Sequence, residues 1–381
     1  MTFEQGPIRP PNEAGSLLLR FTRNCPWNRC TFCPVYKGTG FSRRSLDEIR
    51  EDIDSVCRIL EDLGSVSHSM GFGGELNQRT VGAALTRSPH AHNQCYRHVA
   101  LWALGANGTV FIQDANSLIL PTSVLVPALE YLKKSVPGIR RVTSYARSST
   151  LSRKSLQELE EIREAGLNRI HIGLESGSDR VLDFVGKGVS ARQHIDAGRK
   201  VVEAGMTLSE YVMPGLGGRT WSEEHAKETA RVLNEIDPHF IRLRSLRIPH
   251  RAPLHEDTLS GRFVPLGDDE TVHEIRLFIQ SLEGIRSTLT SDHIMNLLPE
   301  VEGTFPQDKT AMLAVIDRYL SMPEDDRVLY RLGRRGGALQ SLEELAHHQI
   351  RSRLELARRE LAAQAGGDIE RIITELGDQY I

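Results

Sequence analysis

Along the chain, short apolar runs of strand character alternate with amphipathic stretches of helical spacing. The runs are "SLLLRFT" (16–22), "TVFIQD" (109–114), "RVTSYA" (141–146), "RIHIGLE" (169–175), "LSEYVMP" (208–214) and "FIRLRSL" (240–246). Between them, "SRKSLQELEEIREAG" is expected to be a helix started by Ser152 and ended by Gly166. "SEEHAKETARVLNEID" is expected to be another, capped by Ser222 and followed by Pro238. Strands separated by helices build parallel βαβ units. "REAGLNRIHIGLESG" and "VEAGMTLSEYVMPGLGG" each give a helix end, a strand and a Gly-containing loop, which supports a repeating βα array. Six such strands fall short of the eight in a closed barrel. The expected fold class is therefore α/β, a partial (β/α)6 TIM-like barrel.

Two regions depart from this alternation. Residues of about 65–108, with "MGFGGEL" and "RSPHAHNQ", are expected to form an inserted loop carrying one helix at "QCYRHVALWAL". After about residue 300 the strand signals stop, and "QDKTAMLAVIDRYLSM", "EDDRVLYRLGRR" and "SLEELAHHQIRSRLELARRELAAQ" read as helices. The expected organisation is a core over 1–260 with the insertion at 65–108, and a mostly helical C-terminal extension over 261–381. The last of these helices is rich in Arg and Glu, either a solvated or a partner-facing surface.

Composition narrows the class. The 381 residues are 39% hydrophobic and 25% charged, as in a globular protein with a sizeable core. No apolar run approaches membrane-spanning length and no secretory leader pattern stands at the start, so a cytoplasmic protein without membrane contact is expected. A net charge of −3 gives no overall basic footprint, which weighs against a nucleic-acid partner.

Five cysteines, an odd number, do not form a disulfide framework. Three of them, Cys25, Cys30 and Cys33, lie in "NCPWNRCTFCPVYKG" at spacing C-x4-C-x2-C, in the loop that follows the first strand. Clustered thiols hold a soft metal or an iron–sulfur cluster. Structural zinc would need a fourth ligand, and no Cys or His follows within twenty residues. Three ligands on a four-iron cluster leave one iron open to a small molecule. Cys57 borders an apolar helical stripe (Leu46, Ile49, Ile53, Val56, Leu60, Leu63) and reads as a structural thiol. Cys95, in "HNQCYRH", reads as part of a solvated polar segment, with a metal role as the alternative.

The cysteine loop, with Phe32 before its last cysteine, and "GLESGSDRVLDFVGKG" at 173–188 resemble the radical S-adenosylmethionine (radical SAM) enzymes, in the branch with the Elp3/MiaB/NifB-type core. The likeness covers roughly residues 14–250. The usual spacing in that family is C-x3-C-x2-C; this chain has one more residue in the first gap. The resemblance implies that Cys25, Cys30 and Cys33 hold a 4Fe–4S cluster whose fourth iron is chelated by S-adenosylmethionine. It further implies reductive cleavage to a 5′-deoxyadenosyl radical, which abstracts hydrogen from a substrate, with an electron donor such as flavodoxin or ferredoxin. The substrate is expected to be small. An RNA-modifying enzyme gripping its substrate through the Arg-rich C-terminal helices, or an iron–sulfur module without cofactor cleavage, remain as alternatives.

The resemblance also assigns cofactor contacts. Glu175 and Ser176 would contact the ribose or methionine groups; the alternatives are an ion pair for Glu175 and a helix cap for Ser176. The methionyl ammonium would be received at 113–116 (Gln113, Asp114, Ala115, Asn116), which end a strand, rather than at "GFGGEL" (71–76). Ser144, Arg147, Arg242 and Arg244 are candidates for the carboxylate and adenine side, since an Arg fork suits a carboxylate. The Gly-rich "MPGLGG" (213–218) lacks a Walker lysine and suits close approach to the adenosyl group. Finally, "STLTSDHIMNLLPEVEG" (287–303) is expected to cover the substrate end, with Asp292, His293 and Asn296 on one helical face and His293 as the candidate catalytic residue.

Overall fold

The computed structural model describes residues 1–364, 366 and 368–378. All six expected strands are present: β1 (Leu17–Arg20), β4 (Thr109–Gln113), β5 (Arg141–Ala146), β6 (Leu167–Glu175), β7 (Thr207–Val212) and β8 (Phe240–Leu243). Two short strands, β2 (Thr22–Arg23) and β3 (Ser42–Arg43), pair antiparallel with each other. Two more extend the main sheet, β9 (Thr288–Thr290) and β10 (Gly303–Thr304). The main sheet thus has eight strands rather than six, in the order β1-β4-β5-β6-β7-β8-β9-β10. Its order follows the sequence, as a βα array requires, and no pairing among the described residues closes it into a ring. The fold is a mixed α/β architecture with a mostly parallel sheet.

The chain divides into two compact units, one of Met1–Asn28, Val35–Ile172 and Lys200–Leu208, the other of Arg29–Pro34, Gly173–Arg199 and Ser209–Ile381. In the first, β1 pairs parallel with β4 (Leu18↔Phe111), β4 with β5 (Phe111↔Thr143) and β5 with β6 (Tyr145↔His171). The helix Leu46–Ser69 starts at a capping box between Ser45 and Glu48 and buries Ile49, Ile53, Val56, Ile59 and Leu63. Each such side chain contributes about 1.5–3 kcal/mol. Residues 65–108 are more helical than the sequence suggested. Besides the expected helix (Gln94–Gly105), a helix Gln78–Arg87 forms on an Asn77 cap and buries Thr80, Val81 and Ala84 at one-turn spacing. The helix Leu156–Ala165 is capped by Ser155, not Ser152: only Ser155 has a glutamate three residues on, and it forms a capping box with Glu158. Gly166 ends that helix as expected.

In the second unit, β8 lies parallel to β7 and β9, and β10 returns antiparallel to β9. The helix after β7 runs Gly218–Ile236 and is irregular at Trp221. Ser222 does not cap it; its hydroxyl donates to Glu274 at 2.6 Å. The helices Lys309–Leu320, Glu324–Arg335, His348–Gln364 and Ile369–Asp378 form the C-terminal part. The buried Arg331 and Arg335 of this part reach carboxylates of the helix Asp268–Ser281: Arg335 pairs with Asp268 at 2.6 Å and Arg331 with Asp269 at 2.7 Å. Burial alone would raise the Asp268 pKa, but Arg335 and Arg247 hold it below the usual range. These arginines are therefore spent on the fold.

Candidate functional site

In the first unit, the start of the cysteine loop is built around one buried carboxylate. Asp114, just past β4, accepts from Arg20 Nε at 2.7 Å, from the backbone N–H of Asn24 at 2.8 Å and from the Tyr36 hydroxyl at 3.1 Å. Asn24 and Tyr36 flank the three cysteines on either side. Asn24 and Asn28 take positive φ (67° and 49°), a conformation asparagine tolerates better than most residues. The Asn28 N–H points at Cys25 Sγ, 3.4 Å away, and its side-chain amide donates to Tyr36 O at 2.6 Å. The residue that lengthens the first cysteine gap thus falls in a segment stitched to the end of the loop.

The other candidates of this unit sit at the same strand ends, mostly with engaged polar atoms. The Gln113 amide bonds Gly6 N–H, Gly6 O and Ile8 O. Asn116 donates to Thr150 and accepts from the Arg147 backbone N–H. Ala115 is half-buried. The Ser144 hydroxyl donates to Ile112 O at 3.3 Å. The Arg147 guanidinium lies 5.3 Å from the centre of the Trp27 ring, inside the cysteine loop. The two remaining thiols are engaged by backbone carbonyls, and Cys95 is half-buried rather than solvated. Cys57 Sγ donates to Ser135 O and Cys95 Sγ to Phe3 O, both at 3.3 Å, and burial pushes the Cys57 thiol pKa up.

In the second unit, the rest of the cysteine loop is held by the turn that follows β6. Thr31 N–H donates to Val185 O at 2.9 Å, and Leu254 N–H donates to Thr31 O at 2.9 Å. Lys187 places its ammonium 5.8 Å from the Phe32 ring centre and 3.0 Å from Glu175 Oε1. Glu175 itself has φ of 63°. A Cβ on Gly173 would stand 2.2 Å from Glu175 Oε1 and 3.1 Å from Lys187 Nζ, so only glycine leaves room for this pair. The Ser176 hydroxyl is buried against His225 Nδ1 at 2.8 Å. His225 Nε2 donates to Met213 O, so Nδ1 accepts from Ser176. The helix cap considered for Ser176 falls instead to Ser178, which accepts from Val181 N–H. In "MPGLGG", the Gly215 N–H already donates to Glu274 at 2.6 Å, so that N–H is not available to a phosphate.

Arg242 and Arg244 part ways on β8 and beyond. Arg242 is buried and donates to Ser209, Thr290 and Asp292, while Arg244 is exposed. The expected helix after Ser291 does not form: residues 291–300 are bends and turns. Asn296 is fixed there, donating to Leu243 O and accepting from Ser245, and His293 Nδ1 accepts from Met295 N–H at 3.2 Å. Asp292, His293 and Asn296 therefore share no helical face. Burial, with Arg244 adding to it, pulls the His293 pKa down to about 4, so the ring is neutral at physiological pH.

One group here has no counterpart in the sequence reading. Glu210, in the middle of β7, is fully buried, and neither carboxyl oxygen has a hydrogen-bond partner among the described residues. Its strand neighbour on the same face is Val212, and its register partner on β8 is Ile241, both apolar. Burial raises its pKa well above the usual range, opposed by Lys187 and reinforced by Glu175. A carboxyl so placed binds its proton more tightly in the folded than in the unfolded chain. The stability it contributes is complete below the ordinary glutamate range and is lost as pH rises through the raised value. Glu210→Gln removes that loss. Thermal melts should show the variant matching the native chain at about pH 4 and exceeding it at about pH 8. A variant less stable at both would show that Glu210 is ionised.

None of the five cysteines is in a disulfide, and no three His, Cys, Asp or Glu side chains among the described residues stand close enough together to hold a metal ion. The donor set nevertheless fits an iron–sulfur cluster: three disulfide-free thiols within nine residues, one already facing a backbone N–H. Among the described residues, no helix is long and apolar enough to cross a membrane.

The family model described as the Radical SAM superfamily matches residues 19–230, more than half of the chain. The chain is 24% identical over 230 residues to a 4′-phospho-dehydrooxetanocin synthase of Priestia megaterium, covering 58% of this chain and 27% of that protein. It is 26% identical over 95 residues to an uncharacterized methyltransferase of Pyrococcus horikoshii, covering 25% of this chain and 20% of that protein. It thus spans about a quarter of the length of these curated relatives. Among solved structures, the cobalamin-dependent S-adenosylmethionine radical enzyme OxsB aligns over 95% of this chain and 52% of its own, with 15% identity and a TM-score of 0.46. Methylornithine synthase (PylB) aligns over 78% and 68%, with 13% identity and a TM-score of 0.43. The match across residues 19–230, which contain the three-cysteine loop, makes this chain a member of the radical SAM superfamily, enzymes that use a 4Fe–4S cluster and S-adenosylmethionine and draw an electron from a reductant.

Proposed function

We propose that this chain cleaves S-adenosylmethionine reductively and uses the product radical to abstract hydrogen from a small substrate. The observation that carries this reading is the set of three disulfide-free cysteines, Cys25, Cys30 and Cys33, following β1 within the matched stretch. These would be the cluster ligands. A bound cluster supplies the electron that breaks the sulfonium bond to C5′, and flavodoxin or ferredoxin would deliver that electron. The residues of the chain do the rest by placement. Glu175 offers carboxylate oxygens suited to a ribose diol, and Lys187 sets their orientation. Gln113–Asn116, Ser144 and Arg147 frame the strand ends at the cysteine loop. Ser176 shapes the site through His225 rather than by a free hydroxyl. Arg242 is tied up by its three partners, which leaves Arg244 as the arginine better placed for a ligand anion.

Product analysis tests the reading. Anaerobically reconstituted protein given a strong reductant and S-adenosylmethionine should slowly form 5′-deoxyadenosine even without substrate. Methylthioadenosine in its place would mean that a different bond breaks; no nucleoside product from cluster-loaded protein would favour a binding or electron-transfer module.

A further inference from the structure

The loops that follow the neighbouring strands β6 and β7 share one buried polar network. Met213 N–H donates to Glu175 O at 3.0 Å, and Met213 O accepts from His225 Nε2 at 3.1 Å. His225 Nδ1 accepts from the Ser176 hydroxyl at 2.8 Å, and Ser176 Oγ accepts from Ser178 N–H at 3.1 Å. Glu274, from the helix Asp268–Ser281, closes the other side. One of its oxygens takes Gly215 N–H and the other the Ser222 hydroxyl, both at 2.6 Å. Glu274 Oε1 lies 3.7 Å from His225 Nε2, too far for a hydrogen bond, so Met213 O keeps that donor. The helix Gly218–Ile236, which carries His225, is pressed onto the β6 loop. Gly177 N–H donates to Thr229 at 2.9 Å, and a Cβ on Gly177 would stand 2.3 Å from Glu228 O. Ser176, His225 and Glu274 are all buried, so removing one partner leaves the other without a substitute.

We propose that His225 and Glu274 are positioning residues that hold the β6 and β7 loops at one spacing, set for the ribose and adenine of S-adenosylmethionine. The proposal rests on the reading of Glu175 as the ribose acceptor. Neither residue needs to touch the cofactor. His225 grips the chain on two sides of Glu175: Ser176 follows it directly, and Met213 is bonded to its carbonyl. Glu274 fixes the same loop further on, at Gly215, and ties it to Ser222 in the helix that carries His225. Both hydrogen-bond partners of Glu274 are neutral donors, so its contribution is reach rather than charge. A shift of either loop changes the gap that a nucleoside has to fill, and small misplacements of such contacts are costly. The methionine half of the cofactor, chelated at the open iron, does not depend on that gap.

The test uses cluster-loaded protein with S-adenosylmethionine, with 5′-deoxyadenosine, which has the ribose and adenine, and with methionine, which has neither. Calorimetry gives the affinities of the first two, and the electron paramagnetic resonance of the reduced cluster follows methionine. Glu274→Asp keeps the carboxyl but draws it back by one carbon–carbon bond. It should bind S-adenosylmethionine and 5′-deoxyadenosine about tenfold more weakly. Glu274→Gln keeps the reach, with its amide oxygen for Gly215 N–H and its amide nitrogen for the Ser222 hydroxyl. It should bind both within about twofold of native. His225→Asn keeps an acceptor for Ser176 but loses the donor to Met213 O, and should weaken both about tenfold. Methionine binding and iron content should be native in all three. Either residue decides the test alone if a variant of the other fails to fold. A native-like Glu274→Asp beside a weakened Glu274→Gln would make charge the contribution and overturn the proposal. So would methionine affinity falling in step with nucleoside affinity, which marks general damage, or native nucleoside affinity in every variant. Failure of the cluster-loaded native chain to bind S-adenosylmethionine at all would overturn the reading of Glu175, and this proposal with it.

Discussion

Alanine at Cys25, Cys30 or Cys33 should each abolish the cluster and all 5′-deoxyadenosine formation. Iron after anaerobic reconstitution should fall from about four per chain to background, and the visible absorbance of the cluster should go with it. The expected loss is complete because the three thiols have no spare. No further Cys or His follows Cys33 until Cys57, and the Cys57 and Cys95 thiols are spent on the carbonyls of Ser135 and Phe3. Cys57→Ala or Cys95→Ala removes a partly buried donor and should cost about 1 kcal/mol of stability, with iron unchanged. Loss of iron in Cys95→Ala would overturn the three-ligand argument.

The strands were legible because each carries four to nine residues of apolar or alternating pattern, enough to register above turn and helix composition. β9, with three residues, and β10, with two, fall below that length, so the sheet was read as six strands instead of eight. Ser152 and Ser155 look alike one at a time. The glutamate three residues after Ser155 distinguishes them, a signal present in the sequence. Ser222 was a sound cap by type, but Glu274 competes for its hydroxyl, and that competition exists only in three dimensions. The same holds for the site. The cysteine spacing is local and could be read directly. Lys187 sits in "VGKG" as an ordinary turn lysine, and only folding brings it to Glu175 and Phe32. Glu210 did carry a local signal, a charge in the middle of an apolar strand, which deserves weight whenever strands on both sides are buried. For 291–300, a helical spacing of polar residues was not enough: Asn296 is held by Leu243 O and Ser245, and that anchoring fixes a turn where the pattern suggested a helix.

Asp114→Ala should be among the most damaging single changes in the chain outside the cysteines. By its position after β4, Asp114 is expected near the methionyl ammonium. Its oxygens, however, already serve Arg20, the Asn24 N–H and the Tyr36 hydroxyl. The carboxylate is fully buried, so alanine leaves a partly buried guanidinium without its closest anion and two further donors unsatisfied. Breaking a buried pair from one side costs about 3–5 kcal/mol, a large share of a domain's net stability of about 5–15 kcal/mol. Because Asn24 and Tyr36 lie on either side of the three cysteines, the damage should reach the cluster as well as the fold. The separating measurement pairs Asp114→Ala with Asp114→Asn. Asparagine keeps one acceptor oxygen for the Asn24 N–H but loses the charge facing Arg20. It should recover part of the denaturation midpoint and part of the reconstituted iron, both lying between native and alanine. If iron content in Asp114→Asn were native while S-adenosylmethionine affinity alone collapsed, Asp114 would be a cofactor contact after all. If iron and stability fall together, its role is to brace the loop that carries the cysteines.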